Sequence, residues 1–341
     1  LSFSEFNQPA QKIINVFKTL DNPYVILSKN LRVIFNTMAI PEDLIIQFDE
    51  LIKENENFIR VEILETDLAF IQFSSGSTGN PKGIMLNHEN IITNLSAIGN
   101  GLELKDDDIT TNWMPLYHDM GFIGFHLTPV YACSSHYIID PIDFVKRPAI
   151  WLDVMDAVKC NITGCPNFGQ ALLLRFLKNR EKGYWNLSCL KAIINGAEPI
   201  STRIMTDFLS VLSENKVNKS AMLPAYGMAE ATLAITFFDL WKDPVINSFN
   251  RTKLIKFGEV ELELNNPHEM VELVSVGRPL DNIEIKIEDD EGNIIPENQV
   301  GHIRIRGKSV TSGYINNPEA TAEAFEDGWL KTGDKGFFYD G

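Results

Sequence analysis

Ten residues leave this chain few folds to choose from. Ser74-Ser75-Gly76-Ser77-Thr78-Gly79-Asn80-Pro81-Lys82-Gly83 runs between two apolar segments, Leu68–Phe73 and residues 84–86, both read as extended and the first as a buried strand. The glycines let backbone N–H groups converge, the hydroxyls donate hydrogen bonds, and Lys82 adds a positive charge, a combination suited to a polyphosphate. The loop is not a Walker A motif, which sets Gly directly before Lys and Ser/Thr after it. Here Pro81 precedes Lys82 and Gly83 follows. Nor does it read G-x-G-x-x-G. With extended chain on both sides, no helix N-terminus follows directly, so kinase and dinucleotide-binding readings both fail.

The surrounding pattern alternates. Ile91, Ile92, Leu95, Ile98 and Leu102 follow helical spacing, with Gly99 and Gly101 at that helix's end. Residues 137–139 and 190–194 read as strands, Ala149–Val158 and residues 169–177 as helices. Ser201 reads as the N-cap of a helix carrying Ile204, Phe208, Val211 and Leu212. Apolar runs at residues 24–27 and 31–35 fit the same units. This predicts an α/β architecture with largely parallel sheets. Residues 239–272 are polar and weakly patterned, like an insertion. From Val274 the period is two: Ile283, Ile285 and Ile287 alternate with Glu284, Lys286 and Glu288, and Ile303 and Ile305 with Arg304 and Arg306. That predicts an antiparallel β subdomain with one wet face. The expected division is residues 1–238, an insertion-like segment 239–275, and a β subdomain 276–341. Phe337-Phe338-Tyr339 reads as a strand and Asp340-Gly341 as a hairpin turn without its second strand, so the chain is expected to be a piece of a longer protein.

Over 341 residues, 30 Lys plus Arg face 46 Asp plus Glu, a formal net charge of −16. Such a chain repels nucleic acid overall, although a local loop can still hold an anion. No apolar run approaches the ~18 residues of a membrane span, and no secretory signal pattern opens the chain. Cys133, Cys160, Cys165 and Cys189 show no C-x-x-C spacing, which argues against zinc and for reduced thiols in an intracellular, cytoplasmic chain.

The loop resembles the phosphate-binding signature of the adenylate-forming superfamily, which includes acyl-CoA synthetases, peptide-synthetase adenylation domains and beetle luciferases. Further segments match in that family's order. Trp113-Met114-Pro115-Leu116-Tyr117-His118-Asp119-Met120-Gly121 is similar to its gate motif, and Asn195-Gly196-Ala197-Glu198-Pro199 to its adenine-contacting turn. Ala225-Tyr226-Gly227-Met228-Ala229-Glu230-Ala231-Thr232 resembles the motif that stacks adenine and holds magnesium. Gly301 to Gly307 with Ser312-Gly313-Tyr314 resembles the β-subdomain motif, and Trp329-Leu330-Lys331-Thr332-Gly333-Asp334 the segment whose aspartate binds ribose. The resemblance covers about residues 60–341. It is most like fatty acyl-AMP ligases, on Leu116-Tyr117-His118-Asp119-Met120-Gly121, Gly164-Cys165-Pro166-Asn167-Phe168, residues 195–199 and 226–232, and the segment of about residues 239–275 ending Val274-Ser275-Val276-Gly277-Arg278-Pro279. In that subfamily an insertion here is thought to brace a mobile C-terminal domain and disfavour transfer to CoA.

The resemblance implies the large N-terminal domain of the adenylate-forming fold, with two α/β sheet subdomains and a smaller antiparallel β subdomain. It implies ATP and Mg²⁺, a fatty acid as substrate, and the phosphopantetheine arm of an acyl carrier protein, or CoA, as acceptor. Ser75, Gly76, Ser77, Thr78, Gly79 and Lys82 then hold the β- and γ-phosphates, and Thr78 and Glu230 the Mg²⁺. Gly196, Ala197, Glu198, Ala225, Tyr226, Gly227, Met228 and Ala229 surround adenine, with Tyr226 stacked on it. Asp334 accepts from the ribose hydroxyls, and His118, with Lys82 the catalytic candidate, sits near the carboxylate and α-phosphate. The other five histidines carry no assignment. Ala229 stands where many relatives carry a threonine that touches the α-phosphate; alanine there is usual in fatty acyl-AMP ligases. Residues 122–127 and 166–168 fit either an acyl tunnel or plain core. By the same comparison the C-terminal domain with its adenylation lysine is expected to be absent, as is a leading segment. The alternatives are an acyl-CoA synthetase, or a nucleotide- or acyl-adenylate-binding module without catalysis.

Overall fold

The computed structural model describes residues 3–31, 40–51, 61–73, 81–178 and 183–340. They fall into two compact units: Leu1–His88 with Ser312–Glu323, and Glu89–Thr311 with Ala324–Gly341. No helix among the described residues is long and apolar enough to cross a membrane.

In the first unit a helix, Phe3–Thr19, precedes β1 (Val25–Leu27), which pairs in parallel with β2 (Ile45–Gln47). Phe17, Leu27 and Ile40 form their small core. β3 (Leu68–Phe73) and β4 (Gly83–Asn87) form an antiparallel hairpin closed at Phe73 and Gly83. The ends of the predicted phosphate loop are therefore held together as paired strands, as the extended flanks required. Contrary to the reading of Leu68–Phe73 as buried, β3 is only half-buried, whereas Gly83, Ile84 and Leu86 of β4 are buried. The far edge of β4 is occupied by a segment more than 200 residues away in sequence. Met85 N–H donates to Gly313 O at 3.1 Å and Ile315 N–H to Gly83 O at 2.8 Å.

The second unit is built on a seven-stranded sheet. Its strands are β5 (Ile109–Asn112), β6 (Ser135–Ile138), β7 (Ile162–Gly164), β8 (Ala192–Asn195), β9 (Met222–Gly227), β10 (Ala234–Phe237) and β13 (Arg278–Pro279), in the spatial order 13-10-9-8-7-5-6. The run from β6 to β9 is parallel; β10 and β13 add antiparallel pairs. Helices Ala149–Val158, Asn167–Leu177 and Thr202–Ser213 fill the crossovers, which parallel pairing demands. Ser201 caps the last of these, accepting from Ile204 N–H at 3.4 Å. The core centres on Trp113 stacked on Phe144 at 3.8 Å, with Trp151 edge-on to both. Trp151 keeps its indole satisfied by donating to Thr163 Oγ1 at 2.8 Å.

Residues 239–275 are not structureless. β11 (Ile246–Asn250) pairs with β12 (Met270–Val274) in an antiparallel hairpin. This segment is fastened to its neighbours in the same unit: Val260 N–H donates to Asn298 O, and Val300 N–H to Gly258 O. The β subdomain itself has four antiparallel strands in the order β14 (Ile283–Glu288), β15 (Gly301–Gly307), β17 (Trp329–Gly336) and β16 (Phe325–Glu326). Ile283, Ile305 and Leu330 pack inward against Ala231 and Ile235.

Two expectations need correction here. The charged face of this sheet is not uniformly wet, because Glu288 is only 5% exposed. Lys286 reaches its Oε1 at 2.5 Å and Arg304 its Oε2 at 2.8 Å, while the Trp329 ring lies under Lys286 and Arg306 at 4.6 and 4.5 Å. Near the end of the chain, the strand is Trp329–Gly336 and stops before the apolar run. Phe337 and Tyr339 instead sit edge-on against Phe249 of β11, at 5.4 and 5.2 Å.

Candidate active site

Most of the implicated side chains of the second unit follow the C-terminal ends of β5, β8 and β9, the end of an open parallel sheet where ligands bind. Each strand delivers one motif.

After β5 the chain turns at Pro115, and His118 N–H donates to Pro115 O at 3.0 Å. His118 Nδ1 lies 2.7 Å from Asp119 Oδ1, which also accepts from Met120 N–H at 2.7 Å. The Asp119 contact raises the His118 pKa above its ordinary value, partial burial notwithstanding. The pair then enters a π-helix, Met120–Leu127, a wide turn that recurs at functional sites. Tyr117 is almost fully exposed beside it.

After β8, Gly196 packs against the Ala225 carbonyl, so the two motifs touch through backbone. Ala197 holds a left-handed backbone, φ +69°, a conformation that costs a residue with a Cβ about 1–2 kcal/mol. The Glu198 carboxylate is turned toward the protein: its Oε1 accepts from Phe168 N–H at 2.9 Å, at the start of the helix Asn167–Leu177. A negative charge is favourable there. Asn167 Nδ2 donates to Pro199 O at 2.6 Å and completes the tie.

At the end of β9, Tyr226 donates its hydroxyl to Asp334 Oδ2 at 2.7 Å. These residues are 108 positions apart and were implicated separately, one for adenine and one for ribose. Burial pushes the Tyr226 phenol up, and the hydrogen bond and charge of Asp334 push it further, so the phenol stays a donor. Asp334 is exposed; Gly333 before it takes φ +81°, and Thr332 Oγ1 accepts from Asp334 N–H at 3.1 Å. Gly227 has no room for a side chain, since a Cβ would stand 2.0 Å from Leu233 O. Met228 N–H also donates to Leu233 O, closing the loop. Ala229 and Glu230 lie in the following 3₁₀ turn, where Glu230 O accepts from Thr311 N–H, and the Glu230 charge acts on Tyr226.

Lys82 belongs to the first unit, where its Nζ stands 4.9 Å above the Tyr314 ring, a cation–π arrangement. Ser75, Gly76, Ser77, Thr78 and Gly79 lie outside the described residues. Sequence reasoning missed Asp119 as the partner of His118, Tyr314 as the platform for Lys82, and Thr332 as the brace for Asp334. The first and last were within reach, as His-Asp neighbours and a Thr-x-Asp turn.

The donor set fits a nucleotide: an aromatic ring bonded to an exposed carboxylate suits a purine and a ribose diol. Among the described residues no group of three His, Cys, Asp or Glu forms a metal cage. Glu230 alone suits an ion such as Mg²⁺ that phosphates largely carry.

A family profile described as AMP-binding enzyme matches residues 17–315. The chain is 34% identical over 280 residues to the putative ligase Rv1013 of Mycobacterium tuberculosis, covering 81% of this chain and 51% of that one. It is 30% identical to the medium-chain-fatty-acid–[acyl-carrier-protein] ligase TtuA of Teredinibacter turnerae, over 84% of this chain and 47% of that protein. A solved structure from work on fatty acyl-adenylate ligases of E. coli and L. pneumophila superposes with a TM-score of 0.93 at 28% identity, covering 100% of this chain and 62% of the other. The chain thus spans about half the length of these relatives.

Proposed function

Because this chain belongs to the AMP-binding enzyme family of adenylate-forming ligases, we propose that it is the nucleotide- and acyl-binding part of a fatty acyl-AMP ligase. In the full-length protein a fatty-acid carboxylate oxygen attacks the α-phosphorus of ATP. The P–O bond to the β-phosphate breaks and pyrophosphate leaves, giving acyl-AMP. The phosphopantetheine thiol of a carrier protein then attacks the acyl carbonyl, forming a thioester and releasing AMP; the name of the relative TtuA gives an acyl carrier protein as that protein's acceptor. The observation that carries the reading is the Tyr226–Asp334 hydrogen bond, which supports one nucleoside site built from two distant motifs.

Two anions must approach each other, so cationic groups have to offset their charge. In this reading His118, its imidazolium favoured by Asp119, donates toward the developing charge, and Lys82 holds phosphate. Ser75, Gly76, Ser77, Thr78 and Gly79 supply the rest of the phosphate cradle. Thr78 and Glu230 hold Mg²⁺, which when bound supplies charge neutralisation across the phosphates. Gly196, Ala197, Glu198, Ala225, Gly227, Met228 and Ala229 wall the adenine with backbone, while Tyr226 stacks on it and Asp334 takes the ribose. Functionally we divide the chain into residues 1–238 for phosphate and adenine, 239–275 as the insertion, and 276–341 as the ribose-binding β subdomain. The chain alone, by this reading, binds an acyl-adenylate better than it makes one.

The test is calorimetric titration of the chain with a non-hydrolysable acyl-sulfamoyl adenosine. Saturable one-to-one binding that beats adenosine alone supports the reading. Equal affinity for both would reduce the chain to a nucleoside-binding module, and no binding of either would refute it.

A further inference from the structure

Two histidines that the motifs leave unused meet at the far end of the π-helix. His126 stands on its last turn and His136 on the edge strand β6. His126 Nδ1 and His136 Nε2 are 3.0 Å apart, with ring centroids at 5.1 Å and planes at 65°. Phe122, one turn back, stacks on His126 at 6.0 Å and 24°. Both imidazoles are half-buried, so neither is sealed off.

We propose that His126 and His136 form a two-imidazole chelate for a nitrogen-preferring transition-metal ion, Ni²⁺ or Cu²⁺. Two imidazoles hydrogen-bonded nitrogen to nitrogen share one proton and present one lone pair. An ion takes the place of that shared proton. The donor ring moves its proton to its other nitrogen, so both facing nitrogens coordinate and no net proton is lost. With metal–nitrogen bonds of about 2.0–2.1 Å, nitrogens 3.0 Å apart subtend about 91–97° at the metal. That is the cis angle of square-planar and octahedral sites; tetrahedral zinc asks for a wider one. Among the described residues no third His, Cys, Asp or Glu completes a cluster. Water therefore fills the remaining positions, and the ion exchanges readily. Coordination turns both rings off their common line, which loosens the Phe122 stack. It also fastens the end of the π-helix to β6, and the same π-helix begins directly after His118 and Asp119.

This proposal stands apart from the adenylation reading and can fail independently of it. The experiment is calorimetric titration of the full chain with NiCl₂ at pH 7.5, for the native sequence and for His126→Gln, His136→Gln and the exposed control His268→Gln. One Ni²⁺ per chain is expected, with affinity down at least tenfold in each of the first two variants and unchanged in the control. A second readout needs no variant: substoichiometric Cu²⁺ should broaden the imidazole NMR signals of His126 and His136 before those of His268 and His302. No Ni²⁺ binding, binding that survives both substitutions, or broadening that spares this pair would overturn the proposal.

Discussion

Tyr226 and Asp334 share one hydrogen bond between a half-buried ring and an exposed carboxylate. The two ends have different jobs and should respond differently to substitution. If the proposed nucleoside site is right, Asp334→Asn removes the charge offered to a ribose diol, and acyl-sulfamoyl adenosine affinity should fall roughly ten- to hundredfold, the range for a hydrogen bond to a charged group. Tyr226→Phe keeps the ring and should cost less than about tenfold. An equal loss for both would mean the bond is structural and not part of a nucleoside site. His118 offers a test by titration. Its pKa is raised chiefly by the Asp119 hydrogen bond, so its positive charge is complete below the ordinary histidine pKa and disappears only as pH rises through the higher one. NMR titration of His118 should therefore show a midpoint above that of a free histidine, and Asp119→Asn should bring the midpoint down. An unmoved midpoint would dismiss Asp119 as the cause.

At the level of elements, the sheet edges set the tolerances. A Cβ at Gly227 would meet the Leu233 carbonyl at 2.0 Å, and backbone cannot step aside as a side chain can. Gly333 has open space but a positive φ, so alanine there costs only about 1 kcal/mol of conformational energy. Urea unfolding should rank Gly227→Ala well below Gly333→Ala in stability; the reverse order would contradict the close β9–β10 loop. The β subdomain carries its own acid sensitivity. Burial alone would raise the Glu288 pKa, but hydrogen bonds from Lys286 and Arg304 outweigh it and hold the carboxyl below the usual glutamate range. Its contribution to stability is complete above the unfolded-state pKa and vanishes as pH falls through the lower folded value. Glu288→Ala should cost roughly 3 kcal/mol at neutral pH, because Lys286 and Arg304 lose their partner. The gap from the native chain should narrow in acid. A gap that stays constant down to pH 3 would exclude this carboxylate as the source.

For the molecule as a whole, what could be read in advance follows from which interactions are local. Ser201 as an N-cap and the helix Ala149–Val158 were legible because capping and 3.6-residue periodicity act within one turn. The Ile283–Glu288 and Gly301–Gly307 strands were legible from their alternation. The hairpin in residues 239–275 was not, because Ile255, Phe257 and Leu264 are exposed and blur any inward–outward pattern. The burial of Glu288 needed a view across two strands and onto Trp329. Phe337 and Tyr339 looked like a strand because their partner, Phe249, lies almost 90 residues upstream. The division into two units was hidden for the same reason, since Ser312–Glu323 joins the unit of β4 by contacts that no local pattern announces. Within the site, the motifs named the residues, while the pairings of Tyr226 with Asp334 and Lys82 with Tyr314 came only from the fold. The central claim is that these residues serve the making of an acyl-adenylate. Its most direct test is mass spectrometry of the natural full-length protein incubated with ATP, Mg²⁺ and fatty acids of mixed chain length, followed by holo carrier protein or CoA. The account predicts acyl-AMP whose acyl group moves to the carrier and not to CoA; efficient acyl-CoA formation would contradict the choice of acceptor, and absence of acyl-AMP with every fatty acid would contradict the claim itself.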